Sequence, residues 1–245
     1  MNRIGEPFVI FDSIESTNIH AMKLANDRSA IPGTVFFTRV QTGGKGQRGR
    51  KWESRHGQNI LMSVVTEPHT PDLNSQFALS CATALACFDL FSRYAGPECA
   101  VKWPNDLYWR NRKAGGILIE NILHGGNWIF AIIGIGININ QTEFDPAFPN
   151  PVSLKQITGK EHDPLLLARE LCGCLETRIG DLREKPFDVT LADYNSVLFS
   201  KGQVRKFGIK DAVIEGRVHS VTSDGALRLE REEMEDFRYG ELTWL

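Results

Sequence analysis

The 245-residue sequence predicts an α+β fold, a mixed or antiparallel sheet with helices followed by a small β-barrel. Strand-like apolar runs follow one another through the middle of the chain without helices between them. That order favours a mixed or antiparallel sheet with helices on one side over a doubly wound fold. After Phe199, glycines separate short apolar runs in a pattern typical of a small barrel. We therefore expect a large domain over residues 1–198 and a barrel domain over residues 199–245.

The individual elements are predicted from hydrophobic periodicity, helix caps and turn residues. Ser16 or Thr17 should cap the first helix, and the apolar stretch Leu73–Tyr94 predicts a long buried helix. Pro104 cannot lie inside a central ladder and should end a strand at a turn. Strands are predicted near Phe8–Phe11, Thr34–Val40, Asn59–Val65, Cys99–Trp103, Leu107–Trp109, Gly116–Leu123 and Trp128–Ile139, with further helices near Pro164–Leu182 and Pro186–Leu198.

Composition excludes several classes of protein. With 42% hydrophobic and 24% charged residues, the chain has the usual make-up of a soluble globular protein with a sizeable core. A net charge of −2 argues against a general nucleic-acid binder. The five cysteines form no C-x-x-C pair, and the six histidines are scattered, so we expect no structural metal and a reducing, cytoplasmic location. The sequence has neither a signal-peptide core nor the roughly 18-residue apolar run of a membrane span.

Two lysine-containing motifs lie close together in the middle of the chain. Lys102–Asp106 reads Lys-Trp-Pro-Asn-Asp at a predicted strand end, and Lys113–Leu118 leads a lysine through glycines into the next strand. A lysine and a carboxylate beside a glycine-framed strand suit a phosphate and its metal ion. Taken alone, the first motif is equally compatible with a hairpin that carries a surface lysine.

The segment Gln41–Trp52 is rich in glycine and basic residues and ends in an aromatic. From Gln41 to Arg55 there are five basic residues and one acid, a net charge of +4. Glycines let backbone N–H groups turn toward an anion, and guanidinium groups bind phosphate or carboxylate. The segment does not fit the P-loop pattern, and an RNA-binding arm is the main alternative.

A third segment, Gly134–Asn140, ends a long apolar strand with two glycines and two asparagines. It does not fit the dinucleotide-binding pattern, because Ile139 stands where a third glycine is expected.

In this order, the segments Gly44–Trp52, Lys102–Asp106, Lys113–Leu118 and Gly134–Asn140 resemble the motifs of the biotin protein ligases (biotin–[acetyl-CoA-carboxylase] ligases). The triplet Ser16-Thr17-Asn18 also matches, and the resemblance runs from about Phe8 to the C-terminus. It implies a catalytic domain like the class II synthetases, followed by an SH3-like barrel. It also implies a short form without the helix-turn-helix of the longer members, and hence no specific DNA binding.

The resemblance further implies an enzyme that uses ATP and Mg²⁺ to activate biotin as biotinyl-5′-AMP. The biotinyl group would then pass to a lysine of a biotin carboxyl carrier domain in a biotin-dependent carboxylase, with a C–N bond formed. No membrane partner is implied, and a homodimer is compatible with it. A lipoate or octanoate ligase of the same fold family, and a non-catalytic nucleotide- or RNA-binding module, stay open as alternatives.

Site residues are carried over from the matching motifs. The catalytic group would be Lys113, Arg48, Arg50, Lys102 and Asp106, with Asp106 also holding the Mg²⁺ that accompanies ATP. Biotin would contact Ser16, Thr17, Asn18, Gln41, Gly44, Lys45, Gly46, Gln47, Lys113, Gly116, Gly134 and Gly136. ATP or the adenylate would contact Arg48, Arg50, Trp52, Asn105 and Asn138.

The basic loop departs from the commonest family pattern at Lys45 and Gln47, where arginines are usual. Lysine keeps the charge but loses the planar fork, and glutamine loses the charge. The departure implies weaker retention of the adenylate rather than slower formation of it.

Overall fold

A computed structural model describes residues 3–68, 75–148, 150–210 and 212–245. Its main feature is a seven-stranded sheet in the order β1-β2-β3-β7-β6-β5-β4. Only β1 and β2 run parallel, and each other neighbouring pair in this sheet is antiparallel, which confirms the predicted mixed sheet. The strands are β1 Phe8–Ile14, β2 Val35–Gln41, β3 Asn59–Thr66, β4 Cys99–Lys102, β5 Asp106–Trp109, β6 Arg112–His124 and β7 Asn127–Asn138.

Five helices accompany this sheet in the described residues, and their ends follow local capping chemistry. The Ser16 hydroxyl accepts from the Ile19 N–H and caps the first helix, as predicted. Asp163 caps the fourth by accepting from the N–H groups of Leu165 and Leu166. The helices are α1 Thr17–Asn26, α2 Gln76–Ala95, α3 Leu154–Thr158, α4 Pro164–Glu184 and α5 Phe187–Ser196.

Two helix predictions need comment. Leu73 and Asn74, at the start of the predicted long helix, lie outside the described residues. The helix α3 was not predicted, because five residues are too few to show a helical period. It is stabilised by a capping box between Ser153 and Gln156.

Both faces of the main sheet are covered, so the expectation of helices on one side was wrong. Along β7, Ile133 and Ile135 belong to the large core that includes α2 and α4, whereas Ile132 packs with Ala21 and Ala25 of α1. Successive side chains of a strand point to opposite faces, so α1 covers the face opposite to α2. The start of α1 therefore lies over the sheet centre, where β3, β6 and β7 pair.

The C-terminal residues form a second, antiparallel sheet of five strands in the order β11-β10-β9-β8-β12. The β-rich pattern predicted after Phe199 thus corresponds to a second sheet. In the described residues the sheet is open, with β11 and β12 at its two edges, and it does not close into the predicted barrel. Its strands are β8 Val204–Ile209, β9 Ala212–Val221, β10 Leu227–Glu230, β11 Met234–Phe237 and β12 Thr243–Trp244.

Candidate functional site

An open cleft of about 800 Å³ lies between the basic loop and strand β6. The loop residues Gln41–Gly46 and Arg48–Ser54 line one side, and Leu118 and Glu120 line the other. The loop folds back on itself through a bridge between Lys45 and Lys51. The sequence-predicted motifs on β2, β6 and the loop thus meet around one cavity.

Trp52 lies against two glycines of the sheet, and this contact explains why those positions lack side chains. A Cβ atom on Gly136 would stand 2.5 Å from Cε2 of Trp52, and one on Gly116 would stand 3.3 Å from Cζ3. A Cβ atom on Gly44 would stand 2.4 Å from the Trp52 carbonyl oxygen. The indole Nε1 is buried and has no hydrogen-bond partner among the described residues. The glycines therefore form a flat cradle that an aromatic ring can occupy.

Lys113 and Asp106 form an ion pair beside Gly116 and Trp52. Their Nζ and Oδ1 atoms are 2.7 Å apart, and the side chains are 28% and 25% exposed. The pair is brought together because Asp106 on β5 lies opposite Gly116 on β6. Lys113 Nζ also lies 5.9 Å from the Trp52 ring centroid. A partly exposed cation next to the cradle can exchange its carboxylate partner for an incoming anion.

A hydrogen-bonded network of polar side chains lies beneath the start of α1. The Thr17 N–H donates to Gln41 Oε1 at 2.9 Å, and the Ser63 hydroxyl lies 2.6 Å from Thr17 Oγ1 and 2.5 Å from Asn18 Oδ1. The Asn18 amide donates to Glu120 at 2.8 Å. A Cβ atom on Gly134 would stand 2.3 Å from Asn18 Oδ1. Gly134 is thus needed for α1 to approach β7, and three of the predicted biotin contacts share one network.

Ser16 is the one residue of the predicted triplet Ser16-Thr17-Asn18 that does not take part in this described network. Its side chain is buried and caps α1, so its hydroxyl serves the helix N-terminus. Gln41 differs: because Oε1 accepts from Thr17, its Nε2 is left to face Gly44 at the cleft.

Asn105 and Asn138 are engaged by the backbone. The Asn105 amide donates to the Ile117 carbonyl, and the Asn138 amide donates to the carbonyls of Val152 at 3.2 Å and Lys113 at 3.5 Å. Asn138 is also almost fully buried. In this structure the two asparagines hold the strand that carries Lys113, and their contact with a nucleotide stays a prediction.

The loop cations form a positive rim. Lys45, Arg48 and Arg50 are exposed and make no ion pair with an acid in the described part of the chain. The Arg48 guanidinium lies 4.5 Å from the centroid of the Tyr239 ring, so the loop reaches the second sheet. Gly46 and Gln47 lie at the loop's turn and are half-buried. Within the described ranges the rim is thus a positively charged surface without an acidic partner of its own.

The chain is similar to proteins of one known family. A model of the biotin/lipoate A/B protein ligase family matches residues 10–138, just over half of the chain and all of the predicted site residues. The chain belongs to this family. The bifunctional ligase/repressor BirA of Bacillus spizizenii is 30% identical over 235 residues, which cover 94% of this chain and 71% of that protein. The biotin–[acetyl-CoA-carboxylase] ligase of Paracoccus denitrificans is 34% identical over 157 residues, 61% of this chain and 63% of that one.

The fold of this member of the biotin/lipoate ligase family is also found among solved structures. The Aquifex aeolicus biotin protein ligase, in complex with biotin and ATP, superposes with a TM-score of 0.80 and 24% identity. The match covers 96% of this chain and 97% of that one. This likeness supports the fold of both sheets.

Two side chains of the site were missed by sequence reasoning about this family member. Ser63 and Glu120 complete the network with Thr17 and Asn18. They are 45 and 102 positions from Asn18 in the sequence. Ser63 is a fully buried polar residue inside an apolar strand. Glu120 interrupts the apolar pattern of β6. A polar residue inside an apolar strand needs a hydrogen-bond partner, and that requirement could have indicated both residues from the sequence.

Among the described residues, none of the helices is long and apolar enough to cross a membrane.

Proposed function

We propose that this chain is an ATP-dependent biotin protein ligase that forms biotinyl-5′-AMP and transfers the biotinyl group to a lysine of a biotin carboxyl carrier domain. The observation that carries the proposal is the position of Lys113, 2.7 Å from Asp106 and beside the glycine cradle. Its Nζ lies 5.9 Å from the centroid of Trp52, at the end of a loop whose cations form no ion pair with an acid in the described residues. Its relatives support the proposal, since biotin–[acetyl-CoA-carboxylase] ligases are among them.

The first step joins two anions. The biotin carboxylate oxygen attacks the α-phosphorus of ATP, a P–O bond forms, and pyrophosphate leaves. Such a step needs no protein nucleophile, but it needs cations that offset the repulsion and a site that excludes water. Lys113 would leave Asp106 to lie between carboxylate and α-phosphate. Arg48 and Arg50 of the loop would neutralise the phosphates from the other side.

The second step releases AMP. The uncharged amine of the carrier lysine attacks the acyl carbon of the mixed anhydride, a C–N bond forms, the C–O bond to AMP breaks, and the amine proton is lost to solvent. The site must keep the anhydride from water until the carrier arrives. Trp52 and the loop supply the cover, because the indole already lies across the cradle of Gly116 and Gly136.

Biotin's ureido ring is assigned to the polar network at α1. Gln41 Nε2 faces the cleft as a donor, and Lys45 and Gly46 offer further loop contacts. A polar network that is held by its own hydrogen bonds and leaves one donor facing the cleft provides fixed groups for a cyclic urea.

Mg²⁺ is assigned to the nucleotide. No group of three or more His, Cys, Asp or Glu side chains in the described ranges could hold a metal by itself. Mg²⁺ is commonly bound by one or two carboxylates together with substrate phosphates, and Asp106 fits that requirement once Lys113 moves to the substrate. When bound with ATP, the ion would offset phosphate charge.

The finer organisation is also part of the proposal. Residues 1–198 would form the catalytic domain, and residues 199–245 a small C-terminal domain built on the five antiparallel strands of the second sheet. We place the protein in the cytoplasm, without specific DNA or membrane partners, and compatible with a homodimer. Five buried, unpaired cysteines are consistent with a reducing compartment.

Pyrophosphate exchange into ATP tests the activity. Purified protein is incubated with MgATP, labelled pyrophosphate and one of biotin, lipoate, octanoate or no acid. We expect exchange with biotin alone. Exchange driven by lipoate or octanoate but not by biotin would assign the chain to the other branch of its family, and absence of exchange with every acid would favour a non-catalytic binding module.

A further inference from the structure

Lys102 differs from the other cations near the cleft because aromatic rings from both sheets surround it. Its Nζ lies 4.7 Å from the centroid of Tyr108, 5.5 Å from that of Phe199 and 5.0 Å from that of Trp244. Tyr108 belongs to β5, whereas Trp244 belongs to β12, an edge strand of the second sheet. The second sheet therefore supplies one wall of a cage around a cation of the first.

The caged ammonium has unused hydrogen-bonding capacity. Within the described ranges Lys102 forms no ion pair with an acid, and its one hydrogen bond runs to the Tyr108 hydroxyl at 3.3 Å. A lysine ammonium carries three donors, so two are left. Burial lowers the pKa of Lys102 below its ordinary value, which means that the surroundings do not fully compensate its charge. A half-buried cation with spare donors is well suited to bind an anion.

The neighbouring residues identify the anion. Lys102 lies directly opposite Asp106 in the β4–β5 ladder, and Asp106 in turn contacts Lys113. The cage is thus adjacent to the point where the α-phosphate is expected. A triphosphate extends beyond its α-phosphate, so the caged ammonium is in position for the phosphates that leave.

We propose that Trp244 is a positioning residue that holds the Lys102 ammonium toward the triphosphate, so that the second sheet sets the affinity of the site for ATP. The inference rests on the proposed function only for the identity of the anion. Trp244 is itself held by ring contacts, with its centroid 4.8 Å from that of Phe207 and 5.6 Å from that of Phe199. Within the part of the chain that the structure describes, its Nε1 has no hydrogen-bond partner, so the ring face is what it contributes.

The test compares Trp244→Phe, which keeps a ring, with Trp244→Leu, which keeps apolar bulk without one. Phe237→Ala is the control, since Phe237 lies on β11 at the opposite edge of the same sheet. The full-length proteins are titrated calorimetrically with α,β-methylene-ATP, which cannot form an adenylate, and separately with biotin. Thermal unfolding of each variant is recorded alongside.

We expect Trp244→Leu to weaken binding of the ATP analogue about tenfold, the size expected when a desolvated cation loses a ring contact. Biotin binding should change less than about twofold, and Trp244→Phe should restore most of the analogue affinity. In a Lys102→Ala background, Trp244→Leu should have no further effect, because the two residues act as one unit.

Three outcomes would overturn the inference. Lys102→Ala and Trp244→Leu could have additive effects, Trp244→Leu could weaken biotin and analogue binding equally, or Phe237→Ala could weaken analogue binding as much as Trp244→Leu does. Wild-type protein that does not bind the analogue would overturn it too. Protein that binds the analogue with this pattern but shows no biotin-dependent exchange would refute the proposed function and leave the inference standing.

Discussion

The carboxylate of Glu120 accepts a hydrogen bond from the side-chain amide of Asn18 at 2.8 Å. This bond fixes the amide of Asn18, whose Oδ1 faces the Ser63 hydroxyl on the other side. It joins the start of α1 to β6 and thereby links the helix covering the sheet to the strand that carries Lys113.

Glu120→Ala should weaken biotin binding about tenfold or more, since a hydrogen bond to a charged group contributes roughly 1.5–3 kcal/mol. Glu120→Gln keeps an acceptor and should lose less. Glu184→Ala, at the exposed end of α4, is the control. Calorimetric titration with biotin measures the affinity of each variant, which should fall least in Glu184→Ala, more in Glu120→Gln and most in Glu120→Ala. Equal affinities in all variants would show that the network does not orient the ligand site.

Gly136→Ala should displace Trp52, because the added Cβ would lie 2.5 Å from its ring. We expect loss of exchange activity and a loss of about 1–3 kcal/mol in the free energy of unfolding, as for overpacked cores. Gly173→Ala is the matched control: it lies in α4 with nothing within 4 Å of the added atom, and it should stabilise by up to about 1 kcal/mol. Urea unfolding and pyrophosphate exchange measure both effects. Unchanged activity in Gly136→Ala would mean that the Trp52 contact is dispensable.

Lys113→Ala should lower the rate of adenylation by a factor of at least about 100, because a cation between two anions is removed. Lys23→Ala, on the exposed side of α1, should leave the rate unchanged. Since Lys113→Ala also leaves Asp106 without its partner, the double variant Lys113→Ala/Asp106→Asn separates loss of the cation from an unpaired carboxylate. Rates within about threefold of wild type in a single-turnover assay would make Lys113 a surface residue.

Site residues that are close together in the sequence were predicted as neighbours, and residues far apart in the sequence were not. Lys113, Asp106 and Gly116 were predicted together, and the structure brings them together, because a short hairpin connects them. Ser63, Glu120, Tyr239 and Trp244 were not predicted as neighbours of the site. Each reaches it through tertiary packing, which no local pattern encodes.

The same distinction applies to the fold. The positions of the strands along the chain and the cap at Ser16 are local signals, and both were confirmed. The position of α1 on the opposite face, and the open second sheet, depend on how elements pack, so the predictions of one-sided helices and of a closed barrel did not anticipate them.

Gln47→Arg should slow the release of biotinyl-adenylate about fivefold to tenfold. The substitution adds a charge-assisted hydrogen bond, worth roughly 1 kcal/mol more than a neutral one. Gln47 is half-buried at the turn of the basic loop, next to the exposed Arg48. Filter-based release of labelled adenylate from both proteins gives the rate, with adenylation measured as the control. Identical release rates would show that Arg48 and Arg50 already retain the intermediate.

Transfer of biotin from this cleft to a carrier protein can be measured on the carrier itself. The purified chain is incubated with biotin, MgATP and an isolated biotin carboxyl carrier domain, and the intact mass of the carrier is recorded. We expect each carrier to gain one biotinyl group, only when both biotin and ATP are present, and the gain to disappear when the acceptor lysine is replaced by arginine. A carrier that stays unmodified, while a known biotin ligase modifies it under the same conditions, would show that this chain does not transfer biotin.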